Sequence, residues 1–320
     1  MNSPLRSNRY MLFLMLYQLV FAQPALFFIS RYVSDEWFTP PIQIMVFQIL
    51  SLFIPFVIYL IVTKQSFRKV LPINPIGITN VGLIILMCIC IQPLMMLLSA
   101  ISLFFFENNI ANVITNTASP VVLLVIAVSV FPSILEEINF RGIILQNHRK
   151  ISIKKAALIN GLFFGIIHLD PQQFLYACAL GIVFTYFVHY TKSILSAMLA
   201  HFIINFSQIM LGQFLVFITE SAGTDISTVS NEVSSTDMMS SLIFLIIASF
   251  IFLPSFIILF VSFIKHNIHR NGRVELCNDH CDDEYEELNI VFLDKKVATP
   301  SFYAVIVIYI AIVAVYMNIG

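Results

Sequence analysis

Six side chains in the middle third of this sequence have the types and spacing needed for hydrolysis. Glu136, Glu137 and Arg141 sit in one apolar run, His168 ends the next, and His201 and Asn205 lie two runs further on. Glu137 and Arg141 are four residues apart, so on a helix they share a face and can pair. Glu136 projects about 100° away and has no partner on its own helix. A carboxylate in a water-poor site holds a proton more tightly and becomes a competent base near neutral pH. A neutral imidazole opposite it can share the water it activates. A His and an Asn one turn apart offer two donors toward a developing oxyanion, as His201 and Asn205 do here. Glu136, His168 and His201 also make a His₂Glu set, the ligand composition of several catalytic zinc sites. No HExxH stretch accompanies it. At this point metal-free and zinc-dependent chemistry both stand.

These side chains must be positioned by membrane-spanning helices. Of 320 residues 59% are hydrophobic and 11% charged, against about 25% charged in a soluble domain, and mean hydropathy is +0.90. That excludes a water-soluble globule, and the apolar content excludes a disordered chain. A net charge of −1 gives no electrostatic reason for a nucleic-acid partner. A bilayer core takes about 20 mostly apolar residues per helix. Nine such runs are present: Tyr10 to Ile29, Ile42 to Val62, Val81 to Phe106, Val121 to Leu145, Ala156 to Leu169, Phe174 to Tyr190, Ile194 to Ile218, Leu242 to Ile264 and Phe302 to Met317. The expectation is an all-α polytopic bundle of about nine spans in the cell membrane, its fifth span short. Val20-Phe21-Ala22 resembles a signal-peptidase site, and cleavage there would leave eight spans.

Basic residues orient the bundle. Arg6 and Arg9, then Lys64, Arg68 and Lys69, then Arg149 to Lys155, then Lys192, then Lys265 to Arg273 occupy every second loop, while the others carry Arg31, Asp35 and Glu36, then Glu107, then Asp170, then Glu220, Asp225, Glu232 and Asp237. The N-terminus is therefore expected in the cytoplasm. Well inside the spans lie only Glu136, Glu137 and Arg141 among the formal charges, each costing about 2.5–3.5 kcal/mol at the bilayer centre unless partnered. At ~1.5 Å per residue, Glu136, His168 and Asn205 each lie about 20 Å from the nearest cytoplasmic basic residue, and His201 about 14 Å. Taken singly each has a structural use: a buried bridge, headgroup contact or interhelical hydrogen bonding. Gathered at one depth around an unpaired carboxylate, they favour a functional site.

Glu136-Glu137-Ile138-Asn139-Phe140-Arg141 resembles the EExxxR motif of the CPBP family (CAAX proteases and bacteriocin-processing enzymes, also called Abi-type). Phe164 to His168 resembles its FxxxH motif, and His201 to Asn205 its HxxxN motif. The resemblance covers roughly 121–218. It implies an intramembrane endopeptidase related to the type II CAAX prenyl protease, acting on a lipidated or membrane-associated peptide near the cytoplasmic side. In that reading Glu136 activates water with help from His168, Glu137, Arg141 and Phe164 hold geometry, and His201 and Asn205 stabilise the oxyanion. No cofactor is implied, with Zn²⁺ on Glu136, His168 and His201 as the alternative. A non-catalytic membrane protein of the bacteriocin-immunity type is a further alternative.

The chain then divides into three N-terminal spans (1–120), the motif-bearing core (121–218), and two C-terminal spans with an acidic cytoplasmic loop at 265–300 (219–320). Cys277-x-x-x-Cys281, with His280 between, reads as reduced thiols in a solvated acidic linker, a metal site being the weaker reading. Pro132 lacks an N–H and should free the Val128 carbonyl just ahead of the carboxylates. Gly161-x-x-x-Gly165 reads as close helix packing.

Overall fold

In lipid every backbone N–H and C=O must be satisfied within the chain, which leaves helices as the economical answer for this composition. The computed structural model describes residues 3–34, 36–107, 113, 115, 119–149, 151–223, 235–277 and 297–319, and every regular element among them is a helix. We number these α1 (Pro4–Tyr32), α2 (Pro40–Thr63), α3 (Ile78–Ser102), α4 (Val121–Asn147), α5 (Ile153–Ile167), α6 (Pro171–Thr191), α7 (Leu195–Ser221), α8 (Ser235–Cys277) and α9 (Pro300–Ile319). Eight of them are long and apolar enough to cross a bilayer. The exception is α5, whose 15 residues reach about 22 Å, short of a hydrocarbon core about 30 Å thick. The nine apolar runs thus appear as nine helices among the described residues, the fifth being the short one as expected. The chain is a multi-pass membrane protein. Residues 278–296, with Cys281, His280 and the acidic run, lie outside the described residues.

The early end of α5 has a local cause. Leu169 adopts φ +53°, a left-handed turn that a leucine takes only under tertiary constraint. Asp170 then caps α6, its carboxylate accepting from the Gln172 backbone N–H at 2.9 Å, and Pro171 occupies the first turn. The two helices run back to back because glycines remove the intervening side chains. A Cβ on Gly161 would lie 2.7 Å from the Cys178 carbonyl, one on Gly165 2.9 Å from the Phe174 carbonyl, and one on Gly181 2.7 Å from the Gly161 Cα.

Three helices widen into a π turn just before a proline: Gln18–Ala22 before Pro24, Ile49–Phe53 before Pro55, and Ile126–Val130 before Pro132. A helical proline lacks the N–H for the carbonyl four residues back and its ring crowds that oxygen, and a widened turn relieves the crowding. A fourth π turn, Ile138–Ile144, carries Arg141.

Around this frame α3 pairs along its length with α8, α1 packs on α9, and α7 lies against α3, α4 and α6. The end of the bundle carrying the basic loops is closed by the connection between α2 and α3. Asn74 Nδ2 donates to the Lys192 carbonyl at 2.7 Å, Ile194 N–H to the Pro72 carbonyl at 2.8 Å, and Arg270 to the carbonyls of Ile76 and Pro75. Leu71 of this strap sits so close to α4 that a Cβ on Gly142 would be 2.3 Å from its Cδ2. His148, at the end of α4, is buried, with Nδ1 3.2 Å from Asn160 Nδ2.

Candidate active site

Helix α4 supplies both carboxylates. Glu137 and Arg141 are fully buried, and the Glu137 Oε1 accepts from Arg141 Nη1 at 3.0 Å and from His201 Nδ1 at 2.9 Å. Arg141 Nη2 donates to the Gly181 carbonyl at 3.1 Å, and its guanidinium lies 4.5 Å from the Phe164 ring centre and 5.2 Å from that of Phe184. A lone buried charge here would be costly, so the pair, the carbonyl and the ring faces together make it tolerable. The pairing read from the four-residue spacing is present, with His201 added as a third member.

Glu136 points elsewhere. Its Oε2 is 3.9 Å from His168 Nε2 and, though buried, has no hydrogen-bond partner among the described residues. His168 Nδ1 lies 2.7 Å from the Phe164 carbonyl. A carbonyl only accepts, so Nδ1 carries a hydrogen and Nε2 is the ring atom turned toward Glu136. Phe164 stands edge-to-face to His168 (5.3 Å) and His201 (5.8 Å). One ring thus sets the attitude of both imidazoles and of Arg141.

Asn205 makes a contact that the sequence reading did not include. Its Nδ2 donates to the Val128 carbonyl at 2.9 Å, the oxygen that Pro132 leaves without an i+4 donor. The adjacent Ala127 carbonyl accepts from Gln48 Nε2 at 3.1 Å. One amide hydrogen of Asn205 is thereby committed to the backbone, and one remains. His201 and Asn205 share the cavity wall, but Glu137 takes the His201 Nδ1 hydrogen, so Nε2 donates only when that ring carries both protons.

Glu136, Phe164, His168, His201 and Asn205 line a cavity of about 740 Å³, while Glu137 and Arg141 stand behind its wall. Its walls come from 40–52 of α2, 95–103 of α3, 128–136 of α4, 173–180 of α6 and 201–215 of α7, with Gln18 and Leu26 from α1. Glu136, His168 and His201 are its titratable imidazole and carboxylate groups; no Lys, Arg or Asp side chain lines it. Among the described residues no three His, Cys, Asp or Glu side chains come close enough together to hold a metal ion. The His₂Glu set is therefore not gathered as a ligand shell, and zinc does not fit these side chains as they stand.

Several residues in and around this wall escaped the sequence reading. Tyr10 O–H donates to Asn139 Oδ1, while Asn139 Nδ2 donates to Leu135 (2.7 Å) and Leu52 (3.2 Å) carbonyls, tying α1 and α2 to α4. Tyr176 donates to Gln173 Oε1 at 3.0 Å, and Gln173 Nε2 to Asp170 at 3.1 Å. The only sequence signal was an amide or hydroxyl in an apolar run, which occurs too often to single out.

Two comparisons bear on this segment. Residues 118–207 match the family model described as "Type II CAAX prenyl endopeptidase Rce1-like", a range that holds all six side chains. A Bacillus subtilis (strain 168) protein named "Putative membrane peptidase YdiL" is 34% identical over 100 residues, covering 31% of this chain and 41% of that protein. The chain thus spans under half the length of the curated relative it matches. No solved structure matches.

Proposed function

Taking 118–207 as similar to the type II CAAX prenyl endopeptidases, we propose that this chain is an intramembrane endopeptidase that cuts a membrane-associated or lipidated polypeptide. Its catalytic core is the 121–218 segment, flanked by 1–120 and 219–320. The observation that carries this reading is the Glu136 Oε2, without a hydrogen-bond partner among the described residues, beside Nε2 of His168 at 3.9 Å in the wall of a cavity. One water oxygen can reach both at about 2.8 Å.

In the mechanism, that water gives a proton to Glu136 while its oxygen bonds to the scissile carbonyl carbon. His168 accepts the second water hydrogen as a hydrogen bond and keeps the attacking lone pair on line. The π bond of the carbonyl becomes an oxyanion, which the free amide hydrogen of Asn205 and the doubly protonated form of His201 stabilise. Glu136 then passes its proton to the departing nitrogen as the C–N bond breaks, leaving an acid and an amine. Glu137 and Arg141 touch no reacting atom and hold His201 in place. No metal enters these steps, and activity is expected to survive exhaustive chelation.

The test is Glu136→Gln, which keeps size and hydrogen bonding and removes the base. Membranes carrying the Gln variant should accumulate uncut precursors that the native chain clears, with a rate loss of about 10²–10⁴ and unchanged melting. An identical peptide profile from the two proteins would refute the enzyme reading and favour a binding or immunity role.

A further inference from the structure

We infer that the cavity receives its substrate from the extracytoplasmic half of the bilayer, and that the substrate is an uncharged, apolar polypeptide segment that has partly unwound. The inference rests on the peptidase reading above for what happens at Glu136, and on independent geometry for the side of entry. It replaces the sequence-based expectation of cutting near the cytoplasmic face.

Every wall of the cavity is built from the same half of its helix. Helices α1, α3 and α7 leave the basic side, and they contribute Gln18 and Leu26, then 95–103, then 201–215, their middles and far ends. Helices α2, α4 and α6 approach the basic side, and they contribute 40–52, 128–136 and 173–180, their beginnings and middles. Glu136 and His168 therefore form the floor of a chamber opening away from Lys64, Arg149, Lys155 and Lys192. Below the floor the bundle is solid: Arg141, Asn147 and His148 are buried, and the 64–77 strap is bonded across the end. Short loops rich in Lys and Arg stay in the cytoplasm. The closed end is thus cytoplasmic, and among the described residues nothing comparable is bonded across the other end.

The wall chemistry selects the occupant. Met95, Met96, Phe47 and Leu211 make it apolar, and among the described residues no Lys or Arg lines it to hold a carboxylate or phosphate. Interspersed amides are unusual in such a wall, and two of them, Gln18 Oε1 and Gln48 Oε1, are buried acceptors with no partner among the described residues. A helix that unwinds for cleavage exposes backbone N–H groups that lipid cannot satisfy. Orphan amide oxygens above a hydrolytic floor supply those partners, which an intact helix or a lipid chain would not need.

The experiment uses the full chain with its native cysteines replaced, carrying Leu103→Cys or Ala100→Cys at the cavity wall, or Lys64→Cys on the strap side. A membrane-impermeant maleimide is added to intact cells. The wall cysteines should react from outside and Lys64→Cys only after permeabilisation. Wall labelling only after permeabilisation, or none at all, overturns the orientation. Single-span apolar reporters with a helix-weak stretch in the outer or the inner half complete the test. Cleavage of the outer reporter alone, abolished by Glu136→Gln, is the expected result, and cleavage of the inner one alone overturns the inference. Outside labelling with neither reporter cut would uphold the orientation and sink the peptidase reading.

Discussion

Single side chains here carry double duties, and substitutions can separate them. Asn205 satisfies Val128 and is proposed to bind an oxyanion. Asn205→Ala should cost about 0.5–1.5 kcal/mol by removing that hydrogen bond and about 10²–10³ in rate by removing a donor. Pro132→Ala restores a backbone N–H to Val128. In that background Asn205→Ala should lose little stability and still lose the rate. A double-mutant cycle read by melting and by turnover checks this, and equal stability losses in both backgrounds would refute the capping role. His148 lies just outside the spans, and burial pushes its pKa down from 6.5 to about 4. The unfolded chain therefore binds the proton first, so the stability contribution is complete above pH 6.5 and falls as pH drops from 6.5 toward 4. The full loss is roughly 3 kcal/mol. His148→Gln should flatten the pH dependence of melting over that window, and an unaltered slope would refute it.

At the scale of elements, the half-length α5 matters because it ends where the chemistry is proposed. Its tip is set by glycine contacts with α6 rather than by a full membrane crossing. In Gly161→Ala the new Cβ would meet Ile182 Cγ1 at 2.5 Å and the Cys178 backbone carbonyl at 2.7 Å. A backbone neighbour cannot swing aside, so the helices must part, at a cost of about 1–3 kcal/mol. His168 moves with them, so turnover should fall more than stability alone explains. Normal turnover with lowered melting temperature would show that the α5 tip is placed by other contacts. The motif helix α4 was legible as an element from its apolar run, and so was the kink at Pro132. Its π turn at 138–144 was not, since nothing in the order of residues marks where a helix widens without a proline.

At the scale of the whole molecule, α1 packs into the core. Met11, Leu14 and Met15 are fully buried, Tyr10 bonds Asn139, and Gln18 lines the cavity. A chain cut after Ala22 should lose most of its stability, since each buried Met or Leu is worth about 1.5–3 kcal/mol in apolar burial. Thermal melting of the truncated protein in detergent checks this, and native-like melting would refute it.

Composition and spacing by themselves determined a helical membrane bundle, the depth of Glu136, His168, His201 and Asn205, and the Glu137–Arg141 pair, because hydropathy and helical period are local properties of the chain. Only the tertiary structure decided that His201 turns to Glu137, that Asn205 serves the Val128 carbonyl, and that the cavity walls lie away from the basic loops. Those outcomes depend on which faces of separate helices meet, and rotation about a helix axis leaves no trace in the order of residues along it.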